Sequence, residues 1–144
     1  MEKLNSKSLM IGDWVLYGQR LAIIKELCNG YVTILCSIDG QNEYVEETYD
    51  NIEPIPLTSE ILEKNGFGSL TDEMFSVCET ETYSNQELKI YLSHIGCEYN
   101  PVQLVVYMGY EPQERVVLRM MPCQHVHELQ HAFRLCKIEK EIEL

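Results

Sequence analysis

The sequence lacks several features that identify large classes of protein. Its longest uninterrupted apolar run is Leu104 to Met108, whereas a membrane-spanning helix needs about 20 apolar residues. The first residues carry positive charge, but no apolar stretch that would act as a signal peptide follows them. The six cysteines contain no C-x-x-C pair, which excludes zinc-ribbon and thioredoxin motifs. These absences predict a cytoplasmic protein with free thiols that does not interact with a membrane.

Basic residues are scarce in the middle of the chain. The net charge is −12, and between Glu26 and Glu87 there are 14 acidic residues and one basic residue, Lys64. Such a field repels phosphates, because nucleic-acid affinity comes largely from Lys and Arg side chains that neutralise them. We therefore expect a protein partner and no direct nucleic-acid contact, and the field favours a partner that is basic. The same charge also serves solubility alone.

Short strands separated by tight turns fill the N-terminal part of the chain. Asn29-Gly30 and Asp39-Gly40 each lie between apolar runs and favour type I′ hairpins, in which both turn residues have positive φ. Pro54 and Pro56 restrict the last segment to a sheet edge. Four or five such strands in about 50 residues predict a small SH3-like antiparallel β-barrel over residues 1–57.

The rest of the chain predicts a helix, a sheet and a second helix. Thr58 can cap a short helix that Gly66 ends, so residues 58–70 form a linking helix and loop. Alternating segments at 88–92, 103–108 and 115–120 predict antiparallel strands. The final helix has one apolar face, formed by Val126, Leu129, Ala132, Phe133 and Cys136, and places His127, His131 and Arg134 on its polar side. The expected fold class is α+β, with residues 71–144 forming an antiparallel sheet covered by the C-terminal helix.

One five-residue string suggests metal chemistry. His127-Glu128-Leu129-Gln130-His131 matches H-E-x-x-H, in which His127 and His131 would bind zinc and Glu128 would act as the general base. A catalytic zinc site needs a third protein ligand, but Lys137 stands six positions after His131, where a histidine would be expected. We assign no catalytic residue, no metal and no cofactor, and keep a zinc-dependent hydrolase as an alternative.

Aromatic residues of the N-terminal strands suggest a binding surface. Trp14 and Tyr17 share one strand, and Tyr31 and Tyr44 lie elsewhere in the predicted barrel. Together they are candidates for an aromatic peptide-binding groove. The alternative is that these aromatic side chains simply pack in the core.

Motifs at the start, middle and end of the chain resemble those of a known group of proteins. They are Ile11-Gly12-Asp13-Trp14-Val15, then residues 52–58 leading into 61–67, and Val126-His127-Glu128-Leu129-Gln130. The resemblance is to small uncharacterised proteins of gut bacteria and of their phages and mobile elements. Their terminal motif is V-H-[EQ]-L-Q-N followed by an aromatic residue, from which His131 departs. The resemblance implies a shared role for His127 and Gln130, but no activity.

Three functions are compatible with these patterns. The leading hypothesis is a non-catalytic protein-binding or accessory module of a bacterial or mobile-element system, with Trp14, Tyr17, His127 and Gln130 as candidate binding residues. The first alternative is an acidic DNA mimic or anti-defence protein, and the second is the zinc-dependent hydrolase. The sequence assigns no oligomeric state.

Overall fold

The structure, a computed structural model, describes residues 3–70, 80–85, 90–95, 103–108, 116–135 and 138–144. The chain divides into two compact units. The first unit consists of Met1–Pro56 and His125–Glu139, and the second of Leu57–Gln124 and Lys140–Leu144. Each unit has its own five-stranded antiparallel sheet.

The first sheet is formed by five strands in the N-terminal part of the chain. They are β1 (Trp14–Tyr17), β2 (Arg20–Leu27), β3 (Val32–Ile38), β4 (Gln41–Glu47) and β5 (Ile52–Pro54), with a 3-10 helix at Tyr49–Asn51 before β5. Their order in the sheet is β4-β3-β2-β1-β5. These antiparallel strands and the C-terminal helix described below confirm the predicted α+β class, but the sheet is open, with β4 and β5 as its edges. The expected barrel closure is therefore not confirmed, since local patterns specify strands but not the curvature that would close them.

Of the two predicted type I′ turns, the structure confirms Asp39-Gly40 but not Asn29-Gly30. Asp39 and Gly40 have φ values of 51° and 80° and connect β3 to β4 directly, as predicted. At the other turn only Gly30 has a positive φ, of 96°. Cys28 N–H donates a backbone hydrogen bond of 3.0 Å to Tyr31 O, so Asn29 and Gly30 do form the turn between β2 and β3, but a type I′ turn requires positive φ at both residues. The type I′ prediction for Asn29-Gly30 is therefore wrong.

Side chains alternate between the two faces of the first sheet. Alternating positions on β1, β2 and β3 contribute the buried core residues, namely Val15, Ala22, Ile24, Val32, Ile34 and Cys36, which Leu4, Leu9 and Ile52 join. Because successive residues of a strand point to opposite faces, Trp14, Ile23 and Leu35 lie on the other face. We call this other side the outer face of the sheet.

The C-terminal helix α2 (Val126–Leu135) belongs to the first unit. Its first residue donates a backbone hydrogen bond of 2.9 Å to Ile55 O, and Pro56 and His125 form an isolated antiparallel bridge. We expected this helix to cover the second sheet; these backbone bonds, made directly after β5, group it with the first. Its predicted apolar face is buried, but Cys136 lies outside the described residues. His127 is buried as well, so placing it on the polar side was wrong.

The second unit contains helix α1 (Ser59–Lys64) and five strands: β6 (Gly68–Leu70), β7 (Thr80–Asn85), β8 (Ile90–Ile95), β9 (Gln103–Met108) and β10 (Val116–Pro122). Thr58 caps α1, accepting a hydrogen bond of 3.3 Å from Ile61 N–H, and Gly66 follows the helix with φ 85°. The strand order is β10-β9-β8-β7-β6. The predicted β9–β10 pairing is confirmed. Among the described residues, no helix is both long and apolar enough to span a membrane.

Candidate functional site

The side chain of Gln130 connects α2 to the start of β1. Its Oε1 accepts a hydrogen bond of 2.9 Å from Trp14 N–H, and its Nε2 donates one of 3.1 Å to Gly12 O. The carboxamide supplies an acceptor and a donor to the strand backbone, as a neighbouring strand would. Gln130 is 9% exposed, so the two bonds form largely away from water. This candidate binding residue thus uses its polar group within the fold.

Asp13, which lies between Gly12 and Trp14, is the charged residue at the centre of these contacts between α2 and the start of β1. Its fully buried carboxylate accepts a hydrogen bond of 2.8 Å from Met10 N–H and one of 2.7 Å from Arg134 Nη1. His131 Nε2 lies 2.6 Å from its Oδ2. Burying a carboxylate is tolerable only when such partners compensate it. We call Gly12, Asp13, Gln130, His131 and Arg134 the α2–β1 junction.

His127 lies beside this junction and is 5% exposed. Its ring is stacked on His125 and meets His131 edge-on, with centroid separations of 5.6 Å in both cases. Among the described residues its Nδ1 has no hydrogen-bond partner. Burial is the main cause that lowers the pKa of His127 to about 4; the charge of Asp13 opposes this shift, and nearby His131 and His125 contribute to it. His127 is therefore a neutral imidazole at neutral pH.

Two of the three residues that zinc chemistry would use in the H-E-x-x-H string, His131 and Glu128, already face protein partners. His131 Nε2 faces Asp13, and Glu128 Oε1 lies 2.6 Å from His125 Nδ1. Within the part of the chain that the structure describes, no group of three His, Cys, Asp or Glu side chains is placed to hold a metal ion. The geometry of this string is that of hydrogen-bonded pairs holding α2 in place.

Tyr17 and Trp14 lie on opposite faces of the first sheet, because an odd number of positions separates them on β1. Tyr17 packs against the core cluster, and its hydroxyl donates a hydrogen bond of 3.1 Å to Glu47 Oε2. This hydrogen bond and the charge of Glu47 raise the pKa of Tyr17. Glu47 itself accepts from Asn51 Nδ2 at 2.7 Å and from Thr48 N–H at 3.1 Å, which lower its pKa. The four aromatic residues therefore do not form one groove.

Trp14 instead begins an apolar row across the outer face. The strand register pairs Trp14 with Ile23, Ile23 with Leu35, and Leu35 with Tyr44. We call these four residues the aromatic row. Its first three members are partly buried and Tyr44 is 71% exposed. Because neighbouring strands are about 4.8 Å apart, the row spans about 14 Å.

The two sides of the aromatic row differ in character. On one side, Glu26 and Glu46 are both paired with Thr33 in the strand register, and its hydroxyl lies 3.5 Å from Glu26 Oε2. We call Glu26, Thr33 and Glu46 the acidic flank. On the other side Leu16 pairs with Leu21, which is 44% exposed. The outer face thus combines an apolar centre with a negative margin.

Tyr31, which is 43% exposed, lies within the field of the acidic flank. A hydrogen bond with Cys28 and the charge of that residue raise the pKa of Tyr31, and the negative charges of Glu46 and Glu26 raise it further. The electrostatic influence of both carboxylates therefore extends to an exposed aromatic side chain. Tyr31 and Tyr44 are the two most exposed of the four predicted groove residues.

The sequence analysis named Trp14 and Tyr44 as candidate groove residues. It did not identify Ile23 and Leu35, which lie between them in the aromatic row, and it did not identify the acidic flank. Period-two alternation alone would have placed Ile23 and Leu35 opposite the core. The position of Glu26 depends on an irregularity in β2, where the register shifts between Ile24 and Glu26. Nothing in the local sequence marks this shift.

Comparison of the chain with protein-family models, with curated proteins and with solved structures finds no match. The site must therefore be interpreted from its own geometry.

Proposed function

We propose that the chain is a non-catalytic protein-binding or accessory module of a bacterial or mobile-element system, and that its first unit binds a partner protein through the outer face. The observation that carries this proposal is the aromatic row, in which Trp14, Ile23, Leu35 and Tyr44 cross four strands opposite the core. Aromatic side chains surrounded by apolar neighbours supply much of the binding energy in protein interfaces.

The same surface supports a protein partner better than the two alternatives. A mimic of DNA imitates a line of phosphates, whereas the centre of this face is apolar and its carboxylates lie at one margin. For a zinc hydrolase, the general base Glu128 would have to leave His125, and His131 would have to bind zinc while next to Asp13. Among the residues that the structure describes, no specific contact favours either alternative.

Three further predictions belong to this proposal. The strand order β4-β3-β2-β1-β5 and the 3-10 helix before β5 support an SH3-like relationship of the first unit. Cys28, Cys36 and Cys123 are free thiols, which supports a reducing compartment such as the cytoplasm. The acidic flank supports a basic partner.

The test is quantitative affinity purification from cells that naturally express the protein. A tagged Leu35→Gln/Tyr44→Ser variant removes two members of the aromatic row without touching the core cluster. Truncating interface hot spots costs at least about 2 kcal/mol each, so the true partner should lose most of its enrichment. The control is Gln19→Ser, at an exposed position of the β1–β2 turn.

The expected result is at least one protein that the wild type and Gln19→Ser retain and the row variant loses. If every retained protein is enriched equally by all three, the outer face is not the binding surface and the proposal is wrong. Circular dichroism of the row variant establishes that it remains folded.

A further inference from the structure

We propose that the segment bound on the aromatic row is an amphipathic α-helix of a basic partner, with two Lys or Arg side chains about 10 Å apart that lie over Glu26 and Glu46. This inference rests on the proposed function and names the partner's chemistry. It is carried by the register of the sheet, which defines both the row and the spacing of the two carboxylates.

Backbone hydrogen bonding selects a helix as the occupant. β1, β2 and β3 each pair with strands on both sides, so their backbone groups are directed along the sheet and not toward the outer face. A segment lying on this face finds side chains but no backbone partners. Because buried backbone N–H and C=O groups must be paired, the occupant has to satisfy its own, which a helix does.

The dimensions of the row agree with a helix lying across the strands. A row of about 14 Å corresponds to about two and a half helical turns at 5.4 Å per turn. Apolar side chains at positions i, i+3 or i+4, and i+7 form the stripe that would contact the row. Leu21, on the side of the row away from the carboxylates, extends the apolar contact.

The charges select a basic helix and orient it. Glu26 and Glu46 are separated by one intervening strand, which places them about 10 Å apart. Basic residues seven positions apart on a helix are separated by about 10.5 Å and can lie over both carboxylates. Between Leu21 and Glu63 the chain has one basic residue, Lys25, which offsets one of the two charges, so the flank keeps a net negative charge.

A second copy of this chain is a poor occupant of the face. Two copies meeting through their outer faces would bring together two chains that each carry a net charge of −12 and would supply no excess of Lys or Arg to meet Glu26 and Glu46. Like charges opposed in this way destabilise an interface. A partner that brings Lys or Arg converts the same carboxylates into attractive contacts.

The test uses Trp14 as a built-in reporter, because it is the only tryptophan in the chain and begins the row. The probe is a Trp-free 18-residue peptide of Leu and Lys patterned as an amphipathic helix. Its controls are a scrambled isomer of equal composition and a Leu/Glu peptide with the same pattern. We expect saturable change in Trp14 emission with the patterned Leu/Lys peptide, and at least tenfold weaker binding of both controls.

Matched variants assign the binding to this face. Glu26→Gln/Glu46→Gln should weaken binding at least fivefold. Asp39→Asn/Asp50→Asn, which removes the same charge from exposed positions in the β3–β4 turn and the 3-10 helix, should change it less than twofold. Equal losses in the two pairs, equal binding of the scrambled isomer, or no binding would each overturn the inference. If the peptide test fails but Leu35→Gln/Tyr44→Ser still loses its partner in the affinity purification, the occupant is not a basic helix and the proposed function still holds.

Discussion

Replacing Gln130 tests the structural role assigned to the α2–β1 junction. Gln130→Met keeps the length and approximate volume of the side chain but removes both hydrogen bonds that it makes with β1. Trp14 N–H and Gly12 O then lose their partner at a site where Gln130 is largely buried. We expect the first unit to be destabilised while its fold is retained.

The size of this destabilisation follows from the two backbone groups that Gln130→Met leaves without a partner, Trp14 N–H and Gly12 O. An unsatisfied buried donor or acceptor costs about 1–3 kcal/mol. Because Trp14 is only partly buried and water can reach part of the junction, the lower half of this range applies to each group. The expected loss in the free energy of unfolding is about 2–4 kcal/mol.

The assay is urea denaturation at pH 7 followed by the fluorescence of Trp14, which reports on the first unit directly. Gln19→Met, an equivalent change at an exposed turn position, should alter the free energy of unfolding by less than about 0.5 kcal/mol. If Gln130→Met is as stable as Gln19→Met, the hydrogen bonds of Gln130 do not hold α2 on β1.

Gln130→Glu sharpens the test through its pH dependence. An ionised glutamate can still accept from Trp14 N–H, but its second oxygen would face Gly12 O, 3.1 Å from the present Nε2. Only the protonated acid can donate there, so folding raises the pKa of this glutamate above its unfolded value. Stability relative to the wild type is then greatest at low pH and is lost as the pH rises through the folded pKa. A constant difference between pH 7 and pH 5 would contradict the geometry.

Three further outcomes follow from the same structure. Folding lowers the pKa of His127 from 6.5 to about 4, so the unfolded chain binds more protons than the folded chain between these two pH values. The free energy of unfolding should therefore fall by up to about 3 kcal/mol from pH 7 to pH 4. Urea titrations of His127→Leu should show a smaller dependence on pH. Gly12→Ala should destabilise more than Gly30→Ala in thermal melts, because both have φ above +90° but only the new Cβ at position 12 would lie 3.1 Å from Arg134 Nη2. Equimolar zinc should leave the dialysed protein metal-free by elemental mass spectrometry; one zinc per chain, lost in His131→Ala, would restore the hydrolase alternative.

Local patterns predicted the elements of the first sheet, because their physical causes are local. Asp39-Gly40 adopts the positive φ values that a two-residue hairpin requires, and its strands begin and end near the predicted positions. Thr58 and Gly66 likewise act at their own helix ends. Barrel closure was not predictable in the same way, because it depends on curvature accumulated over all five strands.

The junction depends on contacts between distant parts of the chain. Gln130 bonds to Trp14 across 116 positions, so no window of the sequence contains both partners. The angular pattern of α2 assigned His127 to water because it counts apolar residues alone. In the folded chain the ring of His127 packs against His125 and His131, which come together only when the helix and the residue before it have formed.

The outer face required the strand register in addition to the strand positions. Trp14 and Tyr44 are 30 positions apart in sequence, and only the three successive strand pairings place them in one row. A shift of one residue would move every side chain of a strand to the opposite face. A shift of this kind occurs in β2 between Ile24 and Glu26, and it places Glu26 beside the aromatic row instead of in the core.

Site-specific photo-crosslinking in cells that naturally express the protein tests the central claim most directly. The photoreactive residue p-benzoylphenylalanine replaces Tyr44, at the exposed end of the aromatic row, and in a second strain replaces the exposed Gln19 in the β1–β2 turn. Binding through the outer face predicts a discrete crosslinked adduct with one partner protein from position 44 and none from position 19. No adduct from position 44, or the same adducts from both positions, would contradict it.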